Sequence, residues 1–221
     1  MTVATAPRTV AVFDLGGVLL DWNPRHLYRK LFTDETAMEQ FLATVCTTEW
    51  NKRQDAGRSF ADAVRELLPL HGDKRELIEA FGERFGEMVA GPIPGAVEIL
   101  AELKDRGVPL FAITNWSAET FPAQRDRFPF ISWFRGIVVS GSEGVIKPDP
   151  RIFQILCERY GIAPKSAIFV DDVADNAAAA AALGIRGIHF RSPAQLHEEL
   201  TALGLLGDHA PPVKAPALPR E

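Results

Sequence analysis

Polar side chains that could do chemistry follow four apolar runs of the sequence. They are Asp14 after residues 10–13, Thr114 and Asn115 after residues 109–113, Lys147 in a loop beyond residues 136–139, and Asp171 and Asp172 after residues 167–170. Adjacent acids at the end of an apolar run repel each other, and a cation relieves that repulsion. Hard oxygen ligands of this kind suit Mg²⁺. The Asp171–Asp172 pair therefore favours a magnesium site.

Taken alone, each of these groups also has an ordinary structural role. Asp14 can cap a strand before the turn at Gly16, and Thr114 or Asp171 can cap the helix that follows it. Lys147 can belong to a solvated loop. The combination is more specific than any member, because the carboxyl ends of parallel strands lie along one edge of a sheet and bring such groups together in one crevice.

The elements that must position these groups alternate along the chain. Short, continuous apolar runs are typical of strands buried on both faces by helices, and the fifth such run covers residues 185–190. Helical patterns separate the runs from residue 96 onward. Strands that alternate with helices form a parallel sheet with right-handed crossovers. The sequence therefore predicts an α/β fold, with a Rossmann-like parallel sheet of about five strands.

Residues 25–90 interrupt this alternation with a helical pattern that contains no convincing strand. Ser59-x-x-Asp62 and Asp73-x-x-Glu76 are helix-start signals, and a Gly/Pro-rich stretch at 91–95 marks the exit. We interpret the segment as an inserted α-helical cap. The predicted domains are a core of residues 1–21 and 91–207, a cap of residues 22–90, and a proline-rich, disordered or extended tail from 208 to 221.

Composition excludes several classes of protein. The chain has 221 residues and a formal net charge of -5, which gives no reason to expect nucleic acid as a partner. No apolar run approaches the ~20 residues of a membrane span, and the N-terminus lacks a secretory signal pattern. Cys46 and Cys157 form no CxxC or Cys/His cluster, so we expect a reducing, cytoplasmic location. The oligomeric state is left open.

In combination, these groups resemble the motifs of the haloacid dehalogenase-like (HAD) hydrolase superfamily. In order, the four motifs correspond to Phe13-Asp14-Leu15-Gly16-Gly17-Val18, Ile113-Thr114-Asn115, Lys147-Pro148-Asp149-Pro150 and Val170-Asp171-Asp172-(x3)-Asn176. The resemblance extends from about residue 10 to residue 203 and includes the helical cap. Within the superfamily, the chain looks most like small sugar-phosphate phosphatases whose first motif reads Asp-Leu-Gly.

The resemblance implies a Mg²⁺-dependent phosphatase that acts on small phosphate monoesters. Asp14 would attack phosphorus and form an aspartyl-phosphate. Lys147 would pair with Asp14 and the phosphate, while the Thr114 hydroxyl and the Asn115 backbone N–H would bind phosphoryl oxygens. The implied metal ligands are Asp14, the Gly16 carbonyl, Asp172, and Asp171 directly or through water, with Asn176 orienting the pair of acids.

One position departs from the pattern. Most phosphatases of the superfamily carry a second Asp two residues after the nucleophile, as general acid, and this chain has Gly16 there. General acid catalysis typically contributes 10²–10⁴-fold. The candidates to replace this acid are Asp21, His26 or a residue of the cap. The cap candidates include the segment around Arg53 and Asp55.

Two other functions remain open. Dehalogenases of the superfamily also lack the second Asp, but they carry Ser residues in the fourth motif and need no metal; Asp171 and Asp172 would repel their carboxylate substrate. A catalytically weak scaffold that binds a partner protein is the third reading. A helical cap over a preformed site implies a small substrate, because a closing lid excludes large ones.

Residues 50–58 interrupt the helical periodicity of the cap with polar side chains and Gly57. By analogy they form a specificity loop that faces the active site, and a solvated connection between helices is an equally good interpretation. Trp22, Trp116 and Trp133 are expected to be packing residues, and Trp116 is the one placed to line the pocket.

Overall fold

A five-stranded parallel sheet forms the centre of the computed structural model, which describes residues 9–207. The strands of the chain are β1 (Val10–Phe13), β2 (Leu20–Trp22), β3 (Val89–Pro92), β4 (Leu110–Thr114), β5 (Gly136–Val139), β6 (Ala167–Asp171) and β7 (Arg186–His189). The sheet order is β5-β4-β1-β6-β7, and every neighbouring pair is parallel. The predicted α/β fold with five parallel strands is confirmed.

Eleven helices surround the sheet in the described part of the chain. They are α1 (Arg25–Tyr28), α2 (Glu35–Thr44), α3 (Thr48–Asp55), α4 (Phe60–His71), α5 (Arg75–Glu83), α6 (Ala96–Asp105), α7 (Phe121–Arg127), α8 (Ser140–Glu143), α9 (Pro150–Tyr160), α10 (Ala174–Ala182) and α11 (Pro193–Ala202). Short 3₁₀ segments cover Gly72–Lys74, Phe85–Met88, Pro129–Trp133 and Pro164–Ser166. Within residues 9–207, none of these helices has the length and apolarity needed to cross a bilayer.

The central strand β1 is buried on both faces. Successive side chains of a strand point to opposite faces, and Ala11 and Phe13 accordingly belong to one hydrophobic core while Val10 and Val12 belong to the other. Strand β4 is the neighbour of β1 on one side, and β6 is its neighbour on the other, so the order of the strands reverses at β1. The carboxyl end of β1, where Asp14 follows, is therefore the point at which ligands bind in open α/β sheets.

Helices α1 to α5 lie between β2 and β3, and we call this stretch the helical insertion. Its interior is aromatic: the ring of Tyr28 lies 5.1 Å from that of Phe41, and the ring of Trp50 lies 5.2 Å from that of Phe81. The buried Tyr28 hydroxyl donates a hydrogen bond of 2.9 Å to the Leu77 carbonyl. The domain boundaries at residues 21/22 and 90/91 stay predictions.

Two expectations for this segment were wrong. Residues 25–90 were expected to contain no strand, but β3 begins at Val89 and pairs antiparallel with β2. Neither strand shows an apolar run, because β2 carries Asp21 at its centre and β3 ends in Gly91 and Pro92. Residues 50–58 were expected to form a loop, but residues up to Asp55 belong to α3. The buried residues of α3 include Asn51 and Gln54, so its inward face is partly polar.

Of the two predicted helix-start signals, one caps a helix in the structure and the other does not. Ser59 accepts a hydrogen bond from the Asp62 backbone N–H and caps α4 as expected. Asp73 lies within a 3₁₀ turn instead, and α5 begins at Arg75 without a side-chain cap. The expectation for the proline-rich tail from residue 208 lies outside the described residues.

Candidate active site

The polar groups that follow the strands meet in one cavity of about 370 Å³ at the carboxyl edge of the sheet. Asp14, Gly16, Thr114, Asn115 and Asp172 all line this cavity. Lys147 and Asp171 do not line the cavity; both are buried, and they contact each other. Every residue predicted for the site therefore belongs to one cluster.

Lys147 is the buried cation of the cluster. Its Nζ lies 2.9 Å from Asp14 Oδ2 and 2.6 Å from Asp171 Oδ2, and it donates a third bond of 3.1 Å to the Ile113 carbonyl. Burial alone would lower the pKa of Lys147, but the two carboxylates outweigh it and hold that pKa above its ordinary value. Lys147 is therefore charged at neutral pH.

Asn115 fixes the backbone of Lys147. The Asn115 side chain donates from Nδ2 to the Lys147 carbonyl at 3.0 Å and accepts at Oδ1 from the Lys147 N–H at 2.8 Å. This two-way pairing joins the end of β4 to the loop after β5. It gives the Asn115 side chain a positioning role that the sequence had not indicated.

Asp14 is held by its own strand and by Lys147. Its N–H donates to the Val170 carbonyl of β6 at 2.9 Å, and its Oδ1 accepts from the Leu15 N–H at 2.7 Å. Burial raises the pKa of Asp14, and Lys147 opposes that rise. Asp171 and Asp172 push the pKa in the same direction as burial. A further positive charge at the cluster would keep Asp14 ionised.

Three carboxylates face a single ammonium in this cluster. Asp14, Asp171 and Asp172 each offer an oxygen, and these oxygens lie within 4.8 Å of one another. Both oxygens of Asp171 are already engaged, Oδ2 by Lys147 and Oδ1 by Asn176 Nδ2 at 2.9 Å and by the Val173 N–H. Partial burial and the neighbouring Asp171 raise the pKa of Asp172. An excess of hard oxygen ligands over positive charge fits Mg²⁺.

The two glycines after Asp14 differ in backbone conformation. Gly17 has φ of +78°, and a Cβ there would lie 2.2 Å from Asp172 Oδ2. Gly16 has no positive φ, and the nearest atom to its Cβ position is Trp22 Cβ at 3.8 Å. Close approach of the chain to Asp172 therefore requires glycine at position 17, whereas position 16 has space for a side chain.

A family model described as haloacid dehalogenase-like hydrolase matches residues 9–184. The chain belongs to the haloacid dehalogenase-like hydrolase family. A sesquiterpene phosphatase of Aspergillus oryzae is 30% identical over 81% of this chain and 88% of its own length. A phosphoserine phosphatase of Thermus thermophilus is 34% identical, and the alignment covers 52% of this chain and 45% of that relative. The HAD-like hydrolase described here thus has phosphatases among its relatives.

Solved structures agree with this HAD-like fold. A HAD family enzyme of Bacteroides thetaiotaomicron, solved as the wild-type protein in complex with magnesium and inorganic phosphate, aligns with a TM-score of 0.62. The two chains are 21% identical, and the alignment covers 84% of this chain and 95% of the other. At this level of identity, the likeness shows the fold.

The helical insertion of this HAD-like hydrolase supplies the other wall of the cavity. Residues from α3, together with aromatic side chains from three segments, line it: Thr48, Asn51, Lys52, Asp55, Trp22, Phe85 and Trp116. Asp55 is half-buried, and burial raises its pKa to about 7. Of these residues, only Trp116 was placed at the pocket from the sequence. For the segment around Asp55, a position facing the active site was one of two interpretations, and a solvated connection between helices was the other.

Ser140 connects the insertion to the sheet, and sequence reasoning missed it. Its buried hydroxyl accepts a hydrogen bond of 2.9 Å from the Trp116 N–H and donates one of 2.6 Å to the Asp55 carbonyl. Ser140 directly follows β5, so the rule that selected polar residues after apolar runs would have found it too.

Proposed function

We propose that this HAD-like hydrolase is a Mg²⁺-dependent phosphatase that hydrolyses small phosphate monoesters through an aspartyl-phosphate on Asp14. The observation that carries the proposal is the contact between Lys147 and Asp14, 2.9 Å long, inside a cluster of three carboxylates. A buried carboxylate held beside a fixed ammonium is suited to attack a phosphoryl group, whose negative charge the ammonium also attracts.

The residues that would hold Mg²⁺ are Asp14, Asp172 and the Gly16 carbonyl, with Asp171 directly or through water. Asp172 supports this assignment because no protein side chain pairs with it among the described ion pairs, whereas Asp171 is bound to Lys147 and Asn176. When bound, the metal supplies positive charge for the transferring phosphoryl group. Asp171 orients Lys147 in the same arrangement.

The remaining residues bind and orient the phosphoryl group. Thr114 lies at the end of β4 and is 1% exposed, and it lines the cavity together with Asn115. The Thr114 hydroxyl and the Asn115 backbone N–H are the proposed donors to the phosphoryl oxygens. The Asn115 side chain is not free for this task, because it is paired with the backbone of Lys147.

The acidic pair argues against the two other functions. A haloacid substrate carries its own carboxylate, which Asp172 would repel in this cavity. A binding scaffold would have no need for a lysine buried between two carboxylates, since such charges are costly to desolvate. A phosphate monoester with Mg²⁺ fits the cluster better than either alternative.

Substrate size follows from the cavity. A volume of about 370 Å³ accommodates a phosphate with a small organic group. Sugar phosphates, expected from the motif resemblance, are the first class to test. The aromatic walls formed by Trp22, Phe85 and Trp116 favour a second class, phosphates of apolar alcohols. The sesquiterpene phosphatase relative also supports that class. The cytoplasmic location stays a prediction.

Phosphate release from p-nitrophenyl phosphate tests the reaction type. We expect activity with Mg²⁺, its loss in EDTA, and its return when Mg²⁺ is added in excess. Asp14→Asn, which is nearly isosteric, should abolish turnover and leave the fold unchanged by circular dichroism. Activity that persists in EDTA, or wild-type turnover in Asp14→Asn, would refute the mechanism. A parallel screen of sugar phosphates and alkyl or isoprenoid phosphates then decides the substrate class.

A further inference from the structure

Asp55 is the only carboxylate that the helical insertion contributes to the lining of the active-site cavity, within residues 9–207. It is the last residue of α3 and is half-buried. The cavity that it lines is the one that contains Asp14 and Thr114. A titratable group of the insertion therefore reaches the cavity that holds the nucleophile, in a chain that has Gly16 two residues after Asp14.

The backbone around Asp55 is held rigidly. The Arg58 N–H donates to the Arg53 carbonyl and the Gly57 N–H to the Gln54 carbonyl, each at 2.9 Å, which closes α3 with a Schellman motif. The Asp55 carbonyl accepts the 2.6 Å bond from Ser140 Oγ. This bond ties the end of the helix to α8 of the core.

The neighbouring glycine allows this close approach. Gly57 has φ of +102°, and a Cβ there would lie 3.1 Å from the Gly141 carbonyl oxygen. The Asp55 side chain is oriented by Asn51, whose Nδ2 donates to Asp55 Oδ2 at 3.1 Å. Asn51 Oδ1 is buried and has no partner within the described residues, and Asn51 also lines the cavity.

Within residues 9–207, no cationic side chain forms a salt bridge with Asp55. Nearby acids on the two helices packed against α3 are engaged elsewhere: Glu66 of α4 binds Arg53 and Arg58, and Glu143 of α8 binds Arg159. The charged groups that share the cavity or act on Asp55 through it are Lys52, Asp14, Asp172 and Lys147. None of these four forms an ion pair with Asp55.

Protonation of Asp55 near neutral pH agrees with this setting. Burial raises the pKa of Asp55 to about 7, while the Lys147 ammonium and the Ser117 backbone act in the opposite direction. A carboxylate at the C-terminal end of a helix is also disfavoured by the helix dipole. An acid with a pKa near the working pH is best suited to transfer a proton in both directions.

We propose that Asp55 is the general acid of the reaction and takes the place of the acid absent at position 16. The proposal rests on the phosphatase function proposed above. In the first step, a carboxylate oxygen of Asp14 bonds to phosphorus and the ester P–O bond breaks. The electron pair of that bond goes to the leaving oxygen, which takes the proton of Asp55 and departs as the alcohol.

The second step restores both carboxyl groups. Ionised Asp55 takes a proton from water while the water oxygen bonds to phosphorus. The bond between phosphorus and Asp14 breaks, and its electron pair returns to the Asp14 carboxylate. Inorganic phosphate leaves, Asp14 is again ionised and Asp55 is again protonated.

The two other candidates named from the sequence are less suited to this role. Asp21 is paired with His26 at 3.2 Å, and its side chain is 52% exposed. Neither residue lines the active-site cavity. Asp21 lies within β2 and His26 within α1, and Asp55 is the candidate that shares the cavity with Asp14.

The test compares two substrates of similar size with different needs for a proton. The nitrophenolate of p-nitrophenyl phosphate leaves without protonation, whereas the alcohol of benzyl phosphate needs it. In Asp55→Asn, we expect kcat/KM for benzyl phosphate, which reports the steps up to release of the alcohol, to fall by about 10²–10⁴-fold and kcat/KM for p-nitrophenyl phosphate to change less than roughly threefold. Loss of the base in the second step, which both substrates share, should lower kcat for both. The decline of the benzyl phosphate kcat/KM at alkaline pH should disappear in the variant.

Asp62→Asn is the matched control, since Asp62 is an exposed carboxylate in the first turn of the next helix. It should keep both activities. A second variant, Gly16→Asp combined with Asp55→Asn, uses the space at position 16 to restore a donor. It should regain at least about tenfold in kcat/KM for benzyl phosphate over Asp55→Asn.

Three results would overturn the assignment: equal losses of kcat/KM on both substrates in Asp55→Asn, no loss of kcat/KM on either, or no regain in the double variant. These failures are distinct from a failure of the proposed function. A wild-type protein without Mg²⁺-dependent p-nitrophenyl phosphatase activity overturns both proposals. An active wild type with any of the three results overturns the role of Asp55 alone.

Discussion

The variants Gly17→Ala and Gly16→Ala test two effects of position 17: the cost of its left-handed backbone and the space that it leaves for Asp172. Gly17 has φ of +78°, and an alanine in that left-handed region costs about 1–2 kcal/mol. Its Cβ would lie 2.2 Å from Asp172 Oδ2, so the short Asp172 side chain must rotate away. The same methyl group at Gly16 meets only Trp22 Cβ, at 3.8 Å. There, alanine should be neutral or stabilise by about 0.4–1 kcal/mol.

Thermal unfolding followed by circular dichroism measures both effects. A domain of this size loses roughly 2–4 °C in Tm per kcal/mol, so in EDTA we expect Gly17→Ala to lower Tm by roughly 2–8 °C. A ligand at 100 times its Kd adds about 2.7 kcal/mol to the free energy of unfolding. Mg²⁺ should therefore raise the Tm of the wild type, and it should raise that of Gly17→Ala less, because Asp172 no longer faces the site.

Two results would refute this reasoning separately. Equal Tm values for Gly17→Ala and Gly16→Ala in EDTA would show that the left-handed backbone at position 17 carries no cost. A full Mg²⁺ shift in Gly17→Ala, with the lower Tm retained, would remove Asp172 from the set of metal ligands.

The other predictions concern the buried lysine and its support. Lys147→Met leaves Asp14 and Asp171 buried without their cation, which should lower the free energy of unfolding by about 3–5 kcal/mol. The loss should be larger at about pH 8 than at about pH 5 in urea unfolding, because burial raises the pKa of Asp14, and an acid whose pKa is raised by folding stabilises the fold only while it is protonated. Equal losses at both pH values would contradict this. Asn115→Ala removes both bonds to the Lys147 backbone and should cost about 2 kcal/mol. Asn115→Asp keeps the acceptor but sets a carboxylate oxygen against the Lys147 carbonyl and adds an acid to the cluster, so it should cost at least as much as Asn115→Ala; a smaller cost would count against the pairing.

The sheet and the cluster of polar groups could be predicted because one local rule determines both. A run such as residues 10–13 is apolar throughout because helices cover both faces of the strand, and the first polar residue after it marks the edge where ligands bind. The rule needs no knowledge of distant contacts. It places Asp14, Thr114 and Asp171 at one edge, and Lys147 reaches them from the loop after β5.

The helix α3 was missed because its inward face is partly polar: Trp50 packs in the hydrophobic core, but two other buried positions of the helix are amides. Amphipathic periodicity detects a helix by its apolar stripe. Asn51 and Gln54 stand where that stripe would continue, and both are buried. The closing Gly57 was read as a loop residue, although it ends the helix in a Schellman motif. A polar stripe at helical spacing beside a closing glycine is the signal that indicates such a helix.

Strands β2 and β3 were missed for a different reason. Each has three or four residues, and they pair across the whole helical insertion, with Leu20 opposite Pro92. Nothing within either segment requires the pairing, because its partner is supplied from a distant part of the chain. Short antiparallel ladders of this kind depend on tertiary contacts, which local patterns do not contain.

If the proton donor lies on the insertion, the reaction depends on the position of the insertion relative to the core. A donor at position 16 would not create this dependence. Residue 16 belongs to the same turn as Asp14 and keeps a fixed place beside it. Asp55 reaches the cavity only while α3 rests on the core, and the bond from Ser140 Oγ to the Asp55 carbonyl is the contact that holds it there. Protonation of the leaving group would then require α3 to be in place on the core, with Trp22 and Phe85 lining the cavity. Covering a site excludes bulk water before the bond to phosphorus is broken. Loss of the acid from the first motif and transfer of its role to the insertion would thus couple catalysis to closure.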